Sequence, residues 1–300
     1  MARFAAIDVG TNSLLLTVAE GSGRALRPIE ELAEITRLGQ GVDATGRLSD
    51  EGIARSLAVL ARFAERIRAL GADRTACVAT SAARDAANGE EFLSRVRALG
   101  LSPEIIDGER EAALSFRAAW DEFGGTGPLG VLDVGGGSTE IVYGEGTPSF
   151  RTSLQVGSVR LTERLVRSDP PSPEERLAVA QAVAAALASV PPPPPGARLV
   201  GVAGTLTTLA TLAQRLSAYD AARVHGATLS LADVSAISAR LWALPVAERR
   251  RIPGLQPQRA DLLPAGAAIV EGVLFRLRLS ELTVSDRGVR WGLLRELAEG

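Results

Sequence analysis

The chain contains no lysine: all 33 of its basic residues are arginine. That excludes Schiff-base chemistry and the P-loop lysine, so phosphate could be held only by backbone amides, hydroxyls, arginine or a metal. Cys77 is the only cysteine and His225 the only histidine. An intrachain disulfide is excluded, a reducing, cytoplasmic setting is expected, and no zinc site can be assembled from histidine and cysteine. A metal, if used, should be a hard ion on carboxylates, with magnesium first in line. No apolar run is long enough to cross a bilayer, and nothing at the N-terminus reads as a signal peptide. A formal net charge of −2 leaves no global field to attract nucleic acid or an anionic membrane, so neither is expected as a partner.

What is present is a duplicated α/β pattern. Residues 4–9 and 13–19 read as strands joined by a Gly-Thr-Asn turn, and 26–37 as a third strand. Ile53, Leu57, Leu60, Phe63 and Ile67 form a helical stripe over 50–70, capped by Ser49 or Asp50. A strand at 75–80, two helices, a strand at 103–106 and a helix at 108–123 opened by Asp107 follow. The turn-rich 124–128 joins this half to a second. There the order begins again with strands at 129–133, 139–143 and 149–155, continuing with helices and further strands at 199–203 and 280–284. The five prolines at 191–195 read as a stiff connection, and 289–299 as a final helix. The expected division is 1–124 and 125–286, with the last helix, 287–300, able to pack back onto the first half. Two such halves would leave an interdomain cleft for a ligand.

The chemistry-bearing motifs sit at the strand ends. IDVGTNS and LDVGGGS align so that Asp8, Gly10 and Ser13 fall on Asp133, Gly135 and Ser138. Glycine brings backbone N–H groups up to a ligand without an intervening Cβ, and successive N–H groups in a turn form an anion-binding concavity. Gly10, Thr11, Asn12 and Ser13 are thus one candidate phosphate-binding turn. Gly135, Gly136, Gly137, Ser138 and Thr139 are a second. Gly204 and Thr205, in GVAGTLTTL, place amides and a hydroxyl at a helix N-terminus as a third wall. Asp8 and Asp133, the acids before the two turns, could hold a hard cation. Glu109, Glu111, Asp133 and Glu140 are the acids nearest the joint of the two halves, among which a group that positions water would be found, and Arg84, in ATSAARDA, offers a planar fork to phosphate oxygens. His225 is expected to be structural, and Cys77 a buried strand residue.

Taken in order, IDVGTNS, ATSAARDA, DGEREA, LDVGGGSTE, VGSVRLTE, GVAGTLTTL, HGATLS, QRADLLPAG and VSDRGVRWG resemble the exopolyphosphatase/guanosine pentaphosphate phosphatase (Ppx/GppA) family, over residues 7–292. The resemblance implies two ribonuclease-H-like domains of the actin, sugar kinase and Hsp70 ATPase type. It implies magnesium-dependent release of terminal phosphate from polyphosphate or from pppGpp, and a homodimer. It assigns the catalytic glutamate to Glu111 and the phosphate-contacting arginine to Arg84. It assigns the metal-linked acids to Asp133 and Glu140, with Asp8 as the related acid of the first half. Two departures stand out. Many members have a second glutamate where this chain has Arg110, which would either alter the charge beside the base or point to solvent. Many also carry further C-terminal domains, so a short form with uncertain processivity on long chains is expected. A phosphotransferase of the same superfamily, or a non-catalytic polyphosphate or alarmone sensor, are the alternative readings.

Overall fold

In the first strand, β1 (Ala2–Val9), side chains alternate between two apolar layers. Ala5, Ile7 and Val9 enter one core with Leu60, Phe63, Phe92 and Leu93. Phe4 and Ala6 enter another with Leu114, Ala118, Trp291 and Leu294. Both faces are therefore covered, which requires helices on each side of the sheet. The helix Asp50–Ala69 supplies part of the first cover, its N-terminus capped where the Ser49 hydroxyl accepts from the Gly52 amide at 3.1 Å. The helices Gly108–Phe123 and Val289–Glu299 supply the second. Full burial of each such Leu or Phe contributes about 1.5–3 kcal/mol.

The computed structural model describes residues 1–300, and the chain divides into two units, 1–121 with 288–300, and 122–287. The first contains a five-stranded sheet of β1, β2 (Ser13–Ser22), β3 (Ala25–Ile35), β4 (Arg74–Ala79) and β5 (Pro103–Ile105) in the order β3-β2-β1-β4-β5. The hairpin pairs β1–β2 and β2–β3 are antiparallel, while β4 and β5 join in parallel after crossover helices. The second unit contains β6 (Leu129–Val134), β7 (Thr139–Glu145), β8 (Thr147–Leu154), β9 (Arg198–Val202), β10 (Thr228–Ser230) and β11 (Glu281–Val284), in the order β10-β11-β9-β6-β7-β8. Reading from β8 to β11 gives the same order and the same strand senses as the first sheet. Each unit is thus a ribonuclease-H-like α/β layer, the second extended by the antiparallel edge strand β10. That strand, inside HGATLS, has only three residues and no periodicity to announce it.

The first crossing between units falls inside the last turn of the helix Gly108–Phe123, upstream of the Gly-rich joint. Neighbouring acids explain the place. Asp121 binds Arg295 at 3.3 Å and Arg24 at 3.5 Å, both in the first unit. Glu122 binds Arg287 at 2.8 Å and His225 at 3.2 Å, both in the second.

Candidate active site

The two Asp-Val-Gly turns have one backbone design. The Gly10 amide donates to the Ser13 carbonyl at 3.1 Å, and the Gly135 amide to the Ser138 carbonyl at 3.0 Å. A Cβ on Gly10 would stand 2.9 Å from the Ser13 carbonyl oxygen, and one on Gly135 3.1 Å from that of Ser138. Glycine is needed at these positions for close approach, since neither adopts a positive φ. The segments behind the turns draw their carbonyls to one side. Thr36 and Arg37 amides donate to the Asn12 carbonyl, and the Gly39 amide to that of Thr11. In the second unit the amide of Ser158 donates to the carbonyl of Gly135, and those of Val159 and Arg160 to that of Gly136. The Arg160 guanidinium takes the Gly137 carbonyl at 2.7 Å. A turn held in this way can offer its N–H edge to an anion. The segment VGSVRLTE is thereby explained as the brace of the second turn. Its Gly157 lies so close that a Cβ there would be 2.4 Å from the Gly136 carbonyl oxygen.

The strands fix the acids. Asp133 is directly opposite Glu140 across the β6–β7 ladder, so both carboxylates project from one face at neighbouring positions. Both are buried, and Glu140 accepts a hydrogen bond from the Ser153 hydroxyl at 2.7 Å. Strand alternation then sends Thr139 to the other face. Its hydroxyl is fully buried and donates to the Val156 carbonyl at 2.6 Å. With this hydroxyl Thr139 braces the turn from behind. Asp8 shares its sheet face with Phe4 and Ala6, toward the helix Gly108–Phe123.

On that helix Glu111 lies one turn before Leu114 and two before Ala118, all buried on the sheet-facing side. Its Oε2 is 3.3 Å from Nη1 of Arg84, which also donates to the Ile106 carbonyl at 2.8 Å. Nη2 of Arg84 is buried and has no hydrogen-bond partner in the protein. Leaving a guanidinium N–H unsatisfied is costly, which makes this nitrogen a candidate for an acceptor brought from outside. Arg110 is exposed. Its guanidinium makes a bidentate ion pair with Glu296 of the last helix, which raises its pKa further.

The third wall is more constrained than the sequence suggests. β9 stops at Val202, and Ala203 adopts φ 72° before the helix Ala203–Ala213 begins. A left-handed alanine costs about 1–2 kcal/mol, a strain of the kind that gathers at ligand clamps. The Thr205 hydroxyl donates to the Val134 carbonyl at 3.2 Å, binding this helix to the end of β6. The Arg259 guanidinium is pressed against Gly204, where a Cβ would be 2.2 Å from its Nη1. Burial lowers its pKa to about 10. Arg259 lies in QRADLLPAG, and no local signal ties it to Gly204, 55 residues earlier.

His225 is set apart from these groups. Its Nδ1 is 2.9 Å from Asp286 and its Nε2 3.2 Å from Glu122, so it ties together the segments where the second unit begins and ends. Cys77 is buried in β4, and burial pushes its thiol up to about 12.

Duplicated ribonuclease-H-like halves, each with an acid and a glycine turn at the end of its first strand, define the class of phosphate-handling proteins that includes the actin, sugar kinase and Hsp70 ATPase fold. Within it, this chain belongs to the Ppx/GppA phosphatase family, whose profile matches residues 17–299. It is 41% identical over 317 aligned positions to Exopolyphosphatase 2 of Mycobacterium tuberculosis, with 99% of each chain covered. It is 28% identical to the guanosine-5'-triphosphate,3'-diphosphate pyrophosphatase of Photobacterium profundum, covering 98% of this chain and 59% of that longer one. The crystal structure of the Aquifex aeolicus family member superposes with a TM-score of 0.84 at 36% identity, covering 99% of this chain and 97% of that one.

Proposed function

We propose that the protein hydrolyses the terminal phosphoanhydride of inorganic polyphosphate, of pppGpp, or of both, by in-line attack of water. The observation that carries this reading is the Glu111–Arg84 pair: a buried carboxylate able to orient water, next to a buried guanidinium N–H that lacks an acceptor. Base and anion clamp are thus neighbours, as phosphoryl transfer to water requires. Each unit brings its own phosphate-binding candidates, acting largely through backbone amides: Gly10, Thr11, Asn12 and Ser13 in the first, and Gly135, Gly136, Gly137, Ser138, Gly204 and Thr205 in the second, with Ser13 and Ser138 adding hydroxyls.

Magnesium fits the donor set. No three His, Cys, Asp or Glu residues converge into a cage, whereas Asp133 and Glu140 stand side by side. One or two carboxylates, completed by water and substrate phosphate, are what this ion accepts. Asp133 and Glu140 would hold it, with Asp8 as the corresponding acid of the first unit, and it would offset charge on the phosphate oxygens. A homodimer and a cytoplasmic setting belong to the same reading. No helix is long and apolar enough to cross a membrane.

The test is phosphate release from short polyphosphate, long polyphosphate, pppGpp and ATP, with magnesium and no acceptor. Release from polyphosphate or pppGpp, lowered about 10²–10⁴-fold in Glu111→Gln with substrate still bound, is the expected result. Transfer only to an added acceptor would identify a phosphotransferase, and binding without turnover a sensor. Near-full release by Glu111→Gln would remove that residue from its role.

A further inference from the structure

Duplication supplies an internal control for the acid row. In the second unit Asp133 on β6 pairs with Glu140 on β7, and Glu140 pairs with Ser153 on β8. The three lie in one line across three strands and on one face of the sheet. The same line in the first unit reads Asp8, Leu15 and Ala33. The hydroxyl is therefore present in the half that has the second carboxylate and absent in the half that does not. The contact is direct, since Ser153 Oγ donates to Glu140 Oε1 at 2.7 Å.

Glu140 is 1% exposed, and two rotatable bonds separate its carboxylate from Cβ. Without a tether that carboxylate can turn along the face of the sheet. A hydroxyl fixed on the neighbouring strand holds one oxygen and so sets the direction of the other. The outer partners of metal-ligating carboxylates act in this way. From this line of residues we infer that Ser153 is a positioning residue, which aims the Glu140 carboxylate alongside that of Asp133 and so sets the affinity for the divalent cation. The inference rests on the metal-assisted reading given above. It assigns Ser153 no contact with substrate.

The probe is Mn²⁺ alone, with binding followed by the electron paramagnetic resonance of the free ion on the full chain. Ser153→Val and Ser153→Thr are a shape-matched pair that differ in the hydroxyl, and both suit a strand. Glu140→Gln is the control. Ser153→Val should bind Mn²⁺ about 10–100-fold more weakly, and Ser153→Thr should restore most of the affinity. In turnover, Ser153→Val should raise the magnesium concentration needed for half-maximal rate and leave the rate at saturating magnesium within about twofold. If the parent binds Mn²⁺, Glu140→Gln loses it and Ser153→Val matches the parent, the inference fails and the metal reading stands. If parent and Glu140→Gln are alike in failing to bind, the metal reading falls and takes the inference with it. Equal loss of rate by Ser153→Val at every metal concentration would also overturn it, showing a hydroxyl that serves the fold alone.

Discussion

Arg84 serves two acceptors with a single nitrogen. Nη1 meets both the Ile106 carbonyl and Glu111, so the guanidinium links the end of β5 to the first turn of the Glu111 helix, with Nη2 buried and without a hydrogen-bond partner; the proposed function gives that nitrogen to phosphate. An ammonium on a flexible stem cannot reproduce that division. Arg84→Lys should therefore fail to rescue: phosphate release under saturating substrate should fall about 10²-fold, close to the loss in Arg84→Gln. A lysine variant with parental turnover would show that charge alone is needed. Gly204 is the other sensitive point, because an added methyl meets the Arg259 guanidinium. Gly204→Ala should displace that side chain and raise KM for polyphosphate several-fold while the midpoint of urea denaturation moves little, as the obstructing group is the mobile end of a long side chain.

At the level of strands and helices, Gly292 controls how the final helix docks. A Cβ at this position would lie 2.3 Å from the Leu114 carbonyl oxygen, and backbone cannot step aside as a side chain can. Gly292→Ala should destabilise the first unit by about 1–3 kcal/mol, measured by denaturant unfolding with the buried Trp291 as fluorescent reporter. The elements that sequence reading locates are those whose signals are local. The helix Gly108–Phe123 begins where the Asp107 carboxylate accepts the Arg110 amide at 2.7 Å, and the two Asp-Val-Gly turns need only a strand and a glycine. The contacts of Arg84 with Glu111 and of Arg259 with Gly204 join separate elements. They arise from packing, which no spacing along the chain records.

For the whole molecule, stability at alkaline pH depends on the one histidine. Hydrogen bonds to Asp286 first, and then to Glu122, raise the pKa of His225 to about 9 despite its partial burial. Tyr219 also donates to Asp286, Arg287 to Glu122, and the Phe123 ring is tilted against the imidazole at 5.5 Å. An unfolded histidine titrates near 6.5. The raised value therefore means that the contribution of His225 is fully present below about pH 6.5 and is lost as pH rises through about 9. It amounts to about 2 kcal/mol once screening of a half-buried group is allowed for. Urea midpoints of the parent should decline over that window, and His225→Asn should start lower and show a flatter profile. A parallel decline in both would place the titrating group elsewhere. The interleaving of the units also bears on how the molecule is made. All of 122–287 leaves the ribosome before 288–300, yet Trp291, Leu293 and Leu294 complete the apolar layer around Phe4 and Leu114. The half synthesised first is consequently the last to be finished, with one flank of its sheet covered only in part, by the helix Gly108–Phe123, while its sister can already be folded, and translation arrested before residue 288 should yield a nascent chain whose opening segment is the part that chaperones hold.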